Sequence, residues 1–269
     1  MKLLNIHGKL VAILAMTASL LPQTSVAAQA RVHLPEKCVV STKVDNFAHC
    51  QTDSSGRFSV AIIGDSHARS WFEPMRLLAQ KYSWKLTVIS KSACPILDPE
   101  KFPKHLPSET CKSWNQQLQS YLATNPKFDL VVTASSSLVT HGYQSFATSF
   151  RAAVPSITGS GARLLVIRDN PKPASGFQRC IRENPRTAGA ACARPRHEAL
   201  TPKDPMPTAV RDMTNVKIAD FTNSFCGPKL CQPVIGGIVV YKDHSHMSKA
   251  FARHLTPVLD AAIPAKFKG

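Results

Sequence analysis

Two short stretches of the sequence bring together residue types that can move protons. In the first, Val60–Met75 (VAIIGDSHARSWFEPM), an apolar run ends in Gly64-Asp65-Ser66-His67. The second, Tyr241–Phe251 (YKDHSHMSKAF), holds Asp243, His244 and His246. A serine hydroxyl is a weak nucleophile until a base takes its proton. An imidazole serves best as that base when a third group holds its other ring nitrogen. Asp243 and His246, three residues apart in a short loop, can form such a pair and leave one ring nitrogen facing Ser66. His244 competes for the same aspartate. The chemistry in prospect is nucleophilic catalysis through Ser66.

That chemistry needs a scaffold to bring the two stretches together. Ser59–Ile63 is a short apolar run of the kind a buried strand shows, and Lys85–Ser90, Leu130–Thr133, Arg163–Ile167 and Val216–Asp220 repeat the pattern. Between them, Trp71, Met75, Leu78 and Tyr82 share one helical face, Trp114, Leu118 and Leu122 mark a second helix, and Ser145–Ile157 a third. A closing helix starts at Ser248, a suitable N-cap, and aligns Phe251, Leu255, Val258 and Ala262. Ile238–Tyr241 is too short to assign. Strands alternating with helices predict a three-layer α/β/α sandwich around a mostly parallel sheet with right-handed crossovers. Working residues in such sheets gather at the carboxyl ends of the strands. Ser66 lies at one such end, as do the loops after Ser90, Thr133 and Ile167.

The flanking segments set the context. Lys2 and Lys9 precede an uncharged run, Leu10–Leu21, followed by Ala28-Gln29-Ala30, which reads as a secretory signal peptide over residues 1–30 cleaved near Ala30. Some twelve apolar residues fall short of the ~20 that span a bilayer. Residues 31–57 read as an N-terminal disulfide loop packed on a domain covering 58–269. Within that domain, residues 170–207 form a basic, proline-rich insertion: seven prolines accompany Lys172, Arg179, Arg182, Arg186, Arg194, Arg196 and Lys203.

Eight cysteines fall into four successive short-range couples, predicting Cys38–Cys50, Cys94–Cys111, Cys180–Cys192 and Cys226–Cys231 on the ground that short loops close most easily. Zinc is disfavoured because no C-x-x-C pair occurs, so no metal or other cofactor is expected. The net charge is +16; without Lys2 and Lys9 the remaining 31 bases and 17 acids leave +14. Such a balance suits an anionic partner, such as an anionic cell-wall polymer or phospholipid headgroups. Nothing reads as a nucleic-acid module, and none is expected as partner.

Taken together, "GDSHARSW", "KSACPI" with Cys111 following, "VIRDNP" and "YKDHSHMS" resemble the SGNH (GDSL-like) hydrolase superfamily. The similarity is closest to the extracytoplasmic SGNH domain of bacterial membrane O-acyltransferases that modify cell-surface glycans, and it runs from about Cys38 to Pro264. The resemblance implies an SGNH/flavodoxin-like fold, Ser66 as nucleophile, His246 rather than His244 as base, and Asp243 as its orienting partner. Asp65 is then expected to fix the turn and cap the helix, and His67 to shape the pocket or serve structure. In those relatives a transmembrane module delivers the acyl group, so a separate membrane acyltransferase is one expected partner and an acylated glycan the expected substrate. A free esterase is the other expectation.

The sequence departs from the superfamily's oxyanion donors, which include a glycine and an asparagine. Ala93 stands in the glycine's loop, where a backbone N–H survives the change, and Ser135 occupies the loop that should hold the asparagine. With the Ser66 backbone N–H, these make the expected oxyanion set; one missing donor typically costs ~10²–10³ in rate. The competing expectation is a catalytically weak module whose basic insertion binds an anionic polysaccharide. A secreted lipase, which needs a large apolar cleft, finds little support in the modest aromatic content.

Overall fold

The computed structural model describes residues 49–51, 56–104, 109–124, 127–137, 143–159 and 161–268. The signal segment and the Cys38–Cys50 bridge lie outside the described residues, as does most of the 31–57 loop. The part of that loop that is described contains a strand without a counterpart in the sequence reading, β1 (His49–Gln51). It is followed by β2 (Ser59–Gly64), α1 (Ser66–Ser70), α2 (Phe72–Tyr82), β3 (Lys85–Ser90), α3 (Glu109–Thr124), β4 (Leu130–Thr133), α4 (Tyr143–Thr158) and β5 (Arg163–Ile167).

The basic, proline-rich segment follows and contains short regular elements. It carries α5 (Phe177–Glu183), α6 (Ala188–Ala191), β6 (Arg194–Pro195) and α7 (Arg196–Ala199) and runs into α8 (Pro205–Val210). Phe177, Ala199 and Met206 are buried, so the segment contributes to the core as well as to the surface. The chain continues through β7 (Val216–Ala219), α9 (Thr222–Phe225), β8 (Leu230–Cys231), β9 (Val234–Ile235), β10 (Ile238–Val239), α10 (Lys249–His254) and α11 (Thr256–Ala262). The unassigned Ile238 stretch is thus half of a two-stranded hairpin with β9.

The main sheet has the order β1-β3-β2-β4-β5-β7, parallel throughout except for β1, which pairs antiparallel on the outer edge of β3. Strand side chains alternate between its two faces. Val60, Ile62, Leu86, Val132 and Leu165 face one apolar cluster with Trp71, Met75, Leu78 and Phe251. Ala61, Ile63, Ile89, Val131 and Leu164 face the other, with Trp114, Phe146, Phe150 and Met206. Two such layers on a near-continuously apolar sheet make the predicted sandwich.

The closing helix departs from the sequence reading. Ser248 caps it as expected, its Oγ accepting from the Phe251 N–H, but the helix ends at Leu255 and restarts as α11 with a proline in its first turn. Pro257 cannot donate the backbone bond that a continuous helix needs. The break changes the buried face, so Leu259 and Ile263 enter the core and Val258 stays exposed. Three disulfides, Cys94–Cys111, Cys180–Cys192 and Cys226–Cys231, pin the loop after β3, the insertion and the segment before β9.

Candidate active site

Four neighbouring parallel strands deliver their carboxyl ends to one edge of the sheet, and each is followed by a polar loop. Ser66 follows β2, Ala93 follows β3, Ser135–Ser137 follow β4 and Asp169 follows β5. The turn from β2 into α1 is tight. Gly64 has φ +145°, and a Cβ there would lie 2.9 Å from the Cβ of Ala68 and 3.0 Å from the carbonyl oxygen of Ala134. Only glycine lets the strand enter the helix so abruptly and leave Ser66 at the rim.

Asp65 is fully buried and shapes that turn. One carboxylate oxygen accepts from the His67 N–H (2.8 Å), capping α1; the other accepts from Ser135 Oγ (2.8 Å) and the Ser136 N–H (2.9 Å). This corrects the expectation for Ser135. A hydroxyl has one proton to donate, and that of Ser135 is committed to Asp65, so its side chain does not replace the asparagine as an oxyanion donor. Ala93 does take a glycine-like backbone. Its φ is +55°, at the third position of the turn closed by the Cys94 N–H on the Lys91 carbonyl.

The second stretch folds around its own aspartate. Asp243 Oδ1 accepts from the Ser245 N–H (3.0 Å) and the His246 N–H (2.8 Å), so the three-residue spacing closes a compact turn. Bridging of Tyr241 to Met247 narrows the neck of the loop. The same carboxylate lies 2.9 Å from His246 Nδ1 through each of its oxygens. His246 Nε2 is 2.8 Å from Ser66 Oγ, across 180 residues of sequence. His244 turns instead toward an open cleft of about 900 Å³ that Asp243 shares with Lys172, Ser175, Gln178 and Arg194.

Electrostatics follow from this geometry. Burial disfavours the cation of His246, and repulsion from His67 and Lys242 adds to it; together they outweigh the pull of Asp243 and hold the imidazole below its ordinary value. Burial alone would raise Asp243, but the His246 and Ser245 N–H groups and the imidazole stabilise its charge, and it sits well below the usual carboxylate range. A neutral imidazole with Nδ1–H on an ionised carboxylate presents its Nε2 lone pair to the serine hydroxyl, the arrangement needed to take that proton.

A further group emerged only from the fold. His67 Nδ1 lies 2.6 Å from Asp169 Oδ1, both side chains almost wholly buried, and the rings of His67 and His246 are 4.7 Å apart. Asp169 stands in the "VIRDNP" block, so its place after a strand at the carboxyl edge was the available signal; its partner, 102 residues away, was not legible. Among the described residues no cluster of His, Cys, Asp and Glu could hold a metal ion, and no helix is long and apolar enough to cross a membrane.

Residues 37–261 match the family described as SGNH domain (fused to AT3 domains). No curated protein matches the chain. Among solved structures, it is similar to the periplasmic domain of the lipopolysaccharide acetyltransferase of Salmonella ser. Paratyphi A. The TM-score is 0.58 at 14% identity, over 77% of this chain and 83% of the other. At that identity the likeness is one of fold.

Proposed function

Because the chain belongs to the SGNH domain family fused to AT3 domains, we propose that it is a serine-dependent enzyme of acyl transfer, acting on an O-acyl group of a cell-surface glycan. The observation that carries this is the unbroken contact from Ser66 Oγ to His246 Nε2 and from His246 Nδ1 to Asp243. In this reading Ser66 Oγ attacks the acyl carbonyl carbon while its proton passes to His246 Nε2. The ester C–O bond breaks and His246 returns the proton to the departing oxygen, leaving the acyl group on Ser66. Water or a sugar hydroxyl then gives its proton to His246 and attacks the acyl-serine; the acyl–Oγ bond breaks and His246 returns that proton to Ser66 Oγ.

The developing oxyanion would be met by the backbone N–H groups of Ser66 and Ala93. The disulfides fit an exported, oxidising location. The acetyltransferase neighbour favours acetyl as the acyl group, and the family's fusion to AT3 domains favours a membrane acyltransferase as the source of it. Against the alternative of an anionic-polysaccharide binder, part of the insertion's charge is already engaged. Lys172 pairs with Asp169, Arg194 with Glu198, and Arg196 bonds the carbonyls of Cys226 and Gly227.

The test is incubation of the protein with an aryl acetate, followed by mass spectrometry. An acetyl adduct on Ser66, absent from Ser66→Ala, is the expected result. Equal turnover by the two proteins with no adduct would remove the proposed chemistry.

A further inference from the structure

The buried pair behind the proposed base has more partners than a packing role demands. Asp169 Oδ1 accepts from His67 Nδ1 (2.6 Å) and the Asn170 N–H (2.9 Å). Its Oδ2 accepts from Lys172 Nζ (2.6 Å), the Ser137 N–H (2.7 Å) and Ser137 Oγ (2.7 Å). Every contact on this carboxylate comes from a donor, so His67 keeps its hydrogen on Nδ1 and is locked in orientation. Its other ring nitrogen has no hydrogen-bond partner among the described residues, and the ring lies against His246 at 47° between planes.

The same neighbourhood ties the base to the insertion. Asn170 Nδ2 donates to the Ser245 carbonyl (2.9 Å) and Gln178 Nε2 to the Lys242 carbonyl (2.9 Å), gripping the loop that carries Asp243 and His246 on both sides. Ser137 Oγ, on Asp169, is also 2.7 Å from Thr201 Oγ1 within the insertion. One connected set of bonds therefore runs from the cleft wall through Asp169 to His67, whose ring lies against the one that faces Ser66.

We infer that His67 and Asp169 form a second imidazole–carboxylate pair that positions His246, holding its ring in line with Ser66 and in its uncharged form. His67 acts through His246 and is a positioning residue. The inference rests on the proposed role of His246 as base and says what prepares it for that role. The groups facing His246 are Ser66 and His67 from α1 and Lys242 and Asp243 from its own loop, with Asp169 behind His67. Among these, two imidazoles in ring contact resist sharing positive charge, because each cation lies in the other's field with little water between. Release of His67 from that contact is therefore expected to let His246 take up a proton more readily.

The experiment reads this without relying on turnover. Imidazole carbon–proton resonances of His246 are followed by NMR through a pH titration in the wild type, His67→Phe and His67→Ala. Wild-type His246 is expected to titrate below the ordinary imidazole midpoint and to sense His67. In both variants its midpoint moves up. Phe keeps an aromatic ring against His246 but loses the bond to Asp169, so acylation of Ser66 by an aryl acetate at high pH falls in both variants, less in His67→Phe than in His67→Ala, where the loss is about 10- to 100-fold.

A His246 midpoint that is unchanged in a folded variant would overturn the inference. Should neither variant fold, a wild-type His246 that titrates at the ordinary midpoint, in a single step indifferent to His67, would do the same. Failure of the wild type to acylate Ser66 would count against the enzymatic proposal and leave the NMR result to decide this one separately.

Discussion

The molecule contains two histidine–aspartate pairs in ring contact, built in opposite ways. His246 and Asp243 are three residues apart, and their side chains keep 22% and 34% of their surface exposed. His67 and Asp169 are 102 residues apart and keep 3% and 2%. The first pair is made by a local turn and stands at the rim, where a proton can be exchanged with a substrate. The second is made by strand order, sealed by Ser137, Lys172 and Asn170, and has nowhere to pass a proton except along its own bonds. In the proposed reading the exposed pair acts and the buried pair holds.

This contrast is broken most severely if activity does not follow the exposed pair. Asp243→Asn should lower aryl acetate hydrolysis by about 10⁴-fold, because the amide favours the wrong imidazole tautomer while leaving the fold intact. An effect smaller than that of His67→Ala would reverse the roles assigned here.

Stability should rank the pairs the other way. Asp169→Ala leaves the buried Lys172 ammonium without its partner and strips His67 and Ser137 of theirs, for a loss of about 3–5 kcal/mol in denaturant unfolding. Asp243→Ala, partly exposed, should lose about 1 kcal/mol through its two backbone contacts and its ion pair. Comparable losses would mean that the buried carboxylate has no special structural weight.

Two pH profiles sharpen the picture. His246 is held low, so acylation should rise with pH to a plateau whose acid limb has its midpoint below the ordinary ~6.5 of an imidazole. Asp204, whose carboxylate accepts from the Asp169 N–H, is pushed up to about 6 from 3.8 by burial, with the charge of Asp169 adding to the effect. A group raised on folding lends stability in its protonated form, fully below its unfolded value, and loses that contribution as pH climbs through the folded one. Asp204→Asn does not titrate. Its melting temperature minus that of the wild type should therefore grow between about pH 4 and about pH 7, and a flat difference would show that Asp204 is not strained by its charge.

The smallest effect belongs to Ala93, where φ +55° is uncomfortable for any side chain. Ala93→Gly relieves that strain but frees the unfolded chain. A gain of no more than about 1 kcal/mol, with acylation retained, is expected in thermal unfolding.

The local pair was legible because Asp243 and His246 sit on one turn, and the strands because apolar runs of four to six residues between helical patterns have few other readings. The edge strand β1 and the break at Pro257 were not. A three-residue strand has too few positions to show a period, and the helical face of Phe251, Leu255 and Val258 continued past a proline that only the folded packing turned into a stop. Ser135 was misjudged for a related reason. A serine in the right loop says nothing about which acceptor its one proton will find.

From its order of residues alone, this protein determined its alternating layers, the edge of the sheet where polar loops would meet, and the acid that serves His246, since periodicity and short turns are governed by neighbours in the chain. Tertiary structure alone decided that Ser135 would hold Asp65 and that His67 would find Asp169. Those choices depend on which strands lie side by side and on how much water the packed loops exclude, and neither is written in local sequence.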